Sequence, residues 1–269
     1  MKPNARFVRL PMDAPLEQLM LSPVLAETVA RWSAQEASTA VVIRHQKPYI
    51  LLGPKDRRLP HLEEAVHWLN QQNYPVFMRI GGGSAVFLDE DCMSFAVSRP
   101  CRDFTVWENN FRTMAEGVID GLQLLGIDSQ FGRAVGSYCE GPFDLVASGR
   151  KIAGIAQAIR GGFALVSGML LVRQDPIATT ALLQEFYRRA GSDLVLEPNA
   201  VTALDQLPGQ STLDVDAVED ALFQGFQKHY HLTEDALTPA EVALAKQLMK
   251  DRVVHGAINK EDITYASHD

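Results

Sequence analysis

The chain has 269 residues, 46% hydrophobic and 22% charged, with a formal net charge of -8. That composition supports a large buried core and excludes a disordered protein. The acidic balance, without any run of Lys or Arg, excludes a basic nucleic-acid-binding protein, and no stretch approaches the roughly 18 apolar residues of a membrane span.

In chain order, residues 1 to 38 read as a helical entry segment, with a helix around Pro23–Gln35. Its first residues carry Pro, Asp and Glu where a secretory signal needs an apolar block, so a cytoplasmic protein is expected. Thr39–Arg44 and Tyr49–Gly53 are short β-rich runs parted by a turn at Lys47–Pro48. Pro60–Gln72 has helical spacing, with Leu62, Ala65, Val66 and Leu69 on one face. Strands are expected at Pro75–Arg79 and Ala85–Leu88, flanking a glycine cluster, and at Ser94–Ser98. A long helix over Val106–Leu125 should stop at Gly126. Phe143–Val146, Ile152–Ala158 and Phe163–Val172 read as strands joined by glycine turns at Ser148-Gly149 and Gly161-Gly162, the pattern of hairpins. Residues 191–213 are loop-rich. A helix over Asp214–Tyr230 follows, then one opened by the capping box Thr238-Pro-Ala-Glu241 and stopped at Gly256.

The sum is an α/β (α+β) layered fold with a mixed, largely antiparallel sheet flanked by helices. The expected division is 1–38 as entry segment, 39–211 as core and 212–269 as a helical segment packed on it.

Three segments carry possible chemistry. In Arg79-Ile-Gly-Gly-Gly-Ser-Ala-Val-Phe-Leu-Asp89, three glycines let backbone approach a ligand, or simply form a tight hairpin turn. No Lys-Ser/Thr follows and no GxGxxG spacing is present, so it is neither a P-loop nor a dinucleotide fingerprint. The second segment, Ser137-Tyr-Cys-Glu-Gly-Pro-Phe-Asp-Leu145, puts Cys139 in a polar Gly/Pro loop ahead of a strand. A free thiol is only a few per cent thiolate at neutral pH and needs a cation or N–H donors beside it to act as a nucleophile. Without them Cys139 is an ordinary loop thiol. The third, Gly149-Arg-Lys-Ile-Ala-Gly-Ile-Ala-Gln157, offers Lys151 as that cation if the cysteine loop folds back over the return strand. Cys92 and Cys101 read as packing residues. The seven histidines show no paired-ligand spacing and there is no CxxC, so no metal site is expected.

Together these segments resemble the biotin/lipoate protein ligase superfamily. The loop form Arg-x-x-Gly-Gly-x-Ala-Val…Asp is matched by Arg79, Gly82, Gly83, Ala85, Val86 and Asp89. The lysine motif is matched by Gly149, Arg150, Lys151, Ile152, Ala153, Gly154, Ala156 and Gln157. The Ser-Tyr-Cys-x-Gly-x-Phe-Asp-Leu run, with Gly53 and Asp56-Arg-Arg-Leu-Pro-His61, is similar to the cysteine-dependent octanoyl (lipoyl) amidotransferases of that superfamily. Leu88 stands where ATP-using ligases usually carry His, and Ser84 also departs from the loop pattern.

The resemblance implies transfer of an octanoyl or lipoyl group from the glycine-cleavage H protein to lipoyl domains of 2-oxo acid dehydrogenases, without nucleotide, metal or other cofactor. It implies Cys139 as nucleophile with Lys151 as partner, and a substrate-binding set of Arg79, Gly81, Gly82, Gly83, Ser84, Ala85, Asp89 and Gly154. Its rivals are transfer from an octanoyl-acyl-carrier protein, an ATP-dependent lipoate ligase, and a non-catalytic module that binds acyl groups or lipoyl domains.

Overall fold

The computed structural model describes residues 2–255. The first half of the chain contains β1 (Asn4–Leu10), the short helix α1 (Leu16–Leu19), α2 (Ser22–Gln35), β2 (Thr39–Arg44) and β3 (Tyr49–Leu52). It continues through α3 (Leu62–Gln71), β4 (Val76–Met78), β5 (Val86–Leu88), β6 (Cys92–Pro100) and α4 (Trp107–Leu124). The second half has β7 (Gln130–Gly132), β8 (Asp144–Ala147), β9 (Arg150–Arg160), β10 (Phe163–Leu171) and α5 (Pro176–Arg189), then α6 (Val215–His229), β11 (His231–Glu234) and α7 (Pro239–Arg252).

Eight strands make one mixed sheet in the order β11-β1-β2-β6-β10-β9-β8-β7; the other three form a small sheet, β4-β3-β5. Period-two alternation along β6 shows how sequence sets the layers. Met93, Phe95 and Val97 point to one face, where Met114, Val118 and Leu122 of α4 and Val218, Leu222 and Phe226 of α6 close over them. Ala96 points to the other, against Leu25 and Val29 of α2. Ser98 on that same face is satisfied by the Ser33 hydroxyl at 2.7 Å. The small sheet buries Ile50, Leu52 and Val76 under α3 and α5. Helices α4 and α6 meet almost backbone to backbone: a Cβ at Gly225 would lie 2.6 Å from the amide nitrogen of Gly121.

The mixed sheet, the glycine-turned hairpins β8–β9 and β9–β10, and the capping box at Thr238 stand as expected. Three features do not. Residues 4–10, placed in a helical entry segment, form β1 inside the sheet, parallel to both β2 and β11. The helical C-terminal segment likewise contributes β11, so neither residue 38 nor residue 211 marks a break in the sheet. Arg6 of β1 explains the misreading. A buried arginine looks like a surface residue in sequence, but its guanidinium pairs with Glu241 at 2.6 Å and Asp235 at 2.9 Å, both from the last quarter of the chain. Finally, the glycine cluster is not a hairpin turn, because β4 and β5 lie on opposite sides of β3. The expected stop at Gly256 lies outside the described residues. Among the described residues, no helix is long and apolar enough to cross a membrane.

Candidate active site

Cys139 lies in the loop between β7 and β8, with its backbone in the left-handed region at φ 47°. An L-residue enters that region at a cost, so the surroundings must hold it there. Lys151, near the start of β9, does so. Its ammonium donates to the carbonyls of Tyr138 at 2.9 Å and Cys139 at 3.0 Å, and pairs with Asp144 at 3.0 Å. Lys151 and Asp144 are each 1% exposed. Asp144 also accepts from the amides of Gly141 and Ile155, at 2.9 and 3.3 Å. Burial pushes the Asp144 carboxyl up, against the opposing pull of Lys151 and these amides. The cysteine loop does fold back, as the lysine reading required. An ammonium has three N–H donors, however, and all three are engaged, so the thiol's direct contact is with another cation.

That cation is Arg79, just beyond β4. Its Nη2 lies 3.0 Å from the Cys139 sulfur and also donates to the Ser84 carbonyl at 2.8 Å. The Ser84 amide donates to the same sulfur at 3.2 Å. Burial pushes the Cys139 thiol up, but the Arg79 guanidinium, the Lys151 ammonium and the Ser84 amide outweigh it and bring the thiol below its ordinary value. Gly83 leaves room for this contact: at φ 101°, a Cβ there would sit 2.5 Å from the Arg79 nitrogen and 2.6 Å from the sulfur. Cys92, by contrast, is fully buried and its thiol is pushed well up, as a packing residue requires.

The glycine loop is tethered from behind. The Ala85 amide donates to the Tyr187 hydroxyl at 2.9 Å; that hydroxyl donates to Asp56 at 3.0 Å, and the Gly53 amide donates to the other Asp56 oxygen at 2.8 Å. Tyr187 is absent from the sequence reading because no local pattern separates a tyrosine whose hydroxyl bonds a distant loop from one that only fills the core.

Cys139 and Arg79 line a cleft that is open to solvent. Its walls are apolar, with Leu51, Met78, Val86, Leu88, Leu165 and Met169, and Gly81 and Gly154 also line it. A Cβ at Gly154 would crowd the Lys151 ammonium at 3.4 Å. Gly83 and Ser84 border the thiol, Ala85 serves in the tether, and the exposed Gly82 pins the loop by donating to the Gln157 carbonyl at 3.2 Å. Asp89 is a correction. It does not line the cleft but sits in the β5–β6 turn, where its carboxylate accepts from the Asp91 amide at 3.1 Å. The one cluster with metal-ligand spacing among the described residues, His45, Asp216 and Glu219, lies outside the cleft. There the two oxygens of Glu219 are taken by His45 at 2.7 Å and Arg9 at 3.2 Å.

Residues 15–227 match the model of the lipoyl protein ligase A/B catalytic domain. The chain belongs to this family. Among its members with curated names, an octanoyl-GcvH:protein N-octanoyltransferase from Exiguobacterium sp. is 38% identical over 51% of this chain and 49% of its own length. One of the same name from Anoxybacillus flavithermus is 30% identical over 81% of this chain and 80% of its own length. The matches to the first two such relatives thus span about half of their lengths. A solved lipoate-protein ligase A bound with ATP superposes with a TM-score of 0.69 at 23% identity, covering 93% of this chain and 95% of that one. A Thermoplasma acidophilum lipoate protein ligase with bound lipoic acid gives 0.67 at 23%, covering 93% and 96%. These structural likenesses establish the shared fold.

Proposed function

We propose that this chain is an octanoyl (lipoyl) amidotransferase that moves an octanoyl group from a lysine of the glycine-cleavage H protein to lysines of lipoyl domains through an acyl-thioester on Cys139. One observation carries the reading. The Cys139 sulfur on the apolar cleft is held between a guanidinium and a backbone amide, and its thiol is brought below its ordinary value. The names of the similar octanoyltransferases support the donor and the acyl group.

In the first half-reaction the Cys139 thiolate attacks the acyl carbonyl of the donor amide. The carbon–sulfur bond forms, the carbon–nitrogen bond breaks, and the proton lost by the thiol is balanced on the leaving lysine amine. In the second, a lipoyl-domain lysine attacks the thioester and returns the thiol. Two moderate steps replace one difficult amide aminolysis. Arg79 stabilises the thiolate, and its Nε has no protein acceptor among the described residues, which supports a substrate oxygen as its partner. Lys151 acts as a positioning residue, fixing the left-handed backbone that aims the sulfur. Burying about six methylenes of the chain contributes roughly 5 kcal/mol, at ~0.8 kcal/mol each, enough to hold an acyl group without a nucleotide handle. Because one amide replaces another, no step needs ATP.

The test is incubation with octanoylated H protein and apo-lipoyl domain, with no nucleotide added, followed by intact-protein mass spectrometry. An octanoyl adduct on the chain, absent in Cys139→Ser, and octanoylation of the lipoyl domain are expected. Transfer that strictly requires ATP, or an adduct that survives Cys139→Ser, defeats the proposal. Carrier binding without any adduct leaves the non-catalytic module as the reading.

A further inference from the structure

Against a net charge of -8, the chain exposes three cations within four residues. Lys55, Arg57 and Arg58 stand on the 3-10 turn Pro54–Arg58, between β3 and α3. Exposed Arg133, Arg188 and Lys228 pair with Glu140, Glu185 and Asp120, whereas these three form no ion pair among the described residues. The one acid on the turn, Asp56, is 2% exposed and directed inward to the Gly53 amide and the Tyr187 hydroxyl. The next acids, Glu63 and Glu64, stand in the first turn of α3, where they complement that helix's own positive end.

The turn rests against the support of the thiol. A Cβ at Gly53, which heads the turn, would lie 2.7 Å from the Ser84 amide nitrogen, and that amide donates to the Cys139 sulfur. At a rise of ~2 Å per residue, the five residues of the turn extend over about 10 Å. Charges are screened over about 8 Å in physiological salt, so the field of these cations covers a partner seated at Cys139.

The surface beyond the turn leads back to the same thiol. The His61 amide donates to the Ala190 carbonyl at 3.1 Å, and a Cβ at Gly191 would lie 2.7 Å from the His61 ring. Leu194 and Val195, which follow, are 42% and 69% exposed. The Glu197 amide donates to the Gly136 carbonyl at 2.9 Å, and Val135 beside it is 78% exposed. Cys139 comes three residues after Gly136. Asp193 and Glu197 are exposed on this stretch, so the positive charge is confined to the Lys55–Arg58 side and gives the surface a polarity. Aliphatic side chains beside arginine are the composition of a protein interface, and a one-signed charge selects the opposite sign on its partner.

We infer that this band is the docking surface for the carrier domain, and that the carrier sets acidic side chains against Lys55, Arg57 and Arg58 while Leu194, Val195 and Val135 meet its apolar contacts. The inference rests on the acyl-thioester reading of Cys139 and deepens it. An acyl group that arrives on a protein lysine brings a folded surface with it, and that surface must lie against whatever surrounds the thiol. The cations act on encounter and orientation and take no part in the chemistry.

The test compares two octanoyl donors, octanoylated H protein and octanoyl-N-acetylcysteamine, with Cys139 acylation followed by intact mass at several salt concentrations. With the small donor, its carbon–sulfur bond breaks as the bond to the Cys139 sulfur forms, and the thiol proton goes to the leaving thiolate. In the full chain carrying Lys55→Ala, Arg57→Ala and Arg58→Ala together, kcat/KM for the H protein at low salt should fall by about tenfold to a hundredfold, the range of electrostatic steering. The rate with the small thioester should be unaffected. Added salt should slow the unsubstituted protein toward the variant with the protein donor only. Arg57→Lys with Arg58→Lys, which keeps the charge, should retain most of the rate. An unchanged rate with the H protein, a loss that is equal for both donors, or a loss that salt does not narrow overturns the inference and leaves the acyl-thioester reading intact. No adduct on Cys139 of the unsubstituted protein from either donor overturns both. If the triple variant does not fold, the salt dependence of the unsubstituted protein decides: a rate that falls with the H protein and stays flat with the thioester supports the surface, and equal slopes overturn it.

Discussion

Replacing Lys151 with Met tests how the cysteine loop is held. The side chain is removed from a pair in which both partners are 1% exposed and 3.0 Å apart. Breaking one side of such a pair leaves Asp144 buried and uncompensated, a cost of about 3–5 kcal/mol. At roughly 2 °C per kcal/mol for a chain of this size, the melting temperature near neutral pH should fall by about 6–10 °C. The loss should depend on pH with a definite sign. Without the ammonium, burial is opposed only by the Gly141 and Ile155 amides, and the folded-state pKa of Asp144 moves further above the unfolded value. The variant then loses stability as pH rises from about 4, the unfolded value, through the raised folded value, and regains it in acid as Asp144 takes a proton. Adding Asp144→Asn removes the orphaned charge while its one carbonyl oxygen keeps an acceptor for either Gly141 or Ile155, and should restore about 2 kcal/mol. It should not restore thioester formation, because the carbonyls of Tyr138 and Cys139 still lack their donor. Calorimetric melts paired with acylation rates separate the two effects. A loss below about 2 °C for Lys151→Met, or no recovery in the double variant, refutes the argument.

Arg79→Met should move the pH midpoint of Cys139 alkylation by iodoacetamide upward, because the guanidinium is the largest influence favouring the thiolate. The unsubstituted protein should reach full reactivity at lower pH than a free thiol, and a common midpoint for both proteins would count against the assignment. Tyr187→Phe removes the acceptor for the Ala85 amide and the donor to Asp56, so it should cost about 1–3 kcal/mol and loosen the glycine loop, read as slower acylation. Gly225→Ala forces α4 and α6 apart at Gly121 and should cost about 1–3 kcal/mol in denaturant melts while sparing the alkylation midpoint.

The core strands, the two main hairpins and the three chemically loaded segments were legible because each is local. Alternation in β6, Gly149 and Gly162 at turns, and the Thr238 capping box all act within a few residues. What was missed depends on distant partners. The segment Asn4–Leu10 carries two arginines in seven residues and reads as exposed until Arg6 meets Glu241, and the four-residue β11 has no pattern of its own. At the site, sequence brought Cys139, Lys151 and the glycine loop to one place but assigned the thiol's neighbour to the lysine. The lysine motif shows which cation is present, not how many of its donors the backbone takes. Asp89 closes the same motif as the glycines, and only the path of β5 into β6 shows that it turns away from the cleft.

Arg6 also bears on how the chain must be made. Its counter-charges, Asp235 and Glu241, leave the ribosome more than two hundred residues after it, so the nascent β1 carries an unneutralised cation through most of synthesis. The β11–β1 edge of the sheet is then sealed late, by the segment that brings β11 and α7 together, and a chain stopped short of residue 235 would strand a naked guanidinium beside Phe7 and Val8.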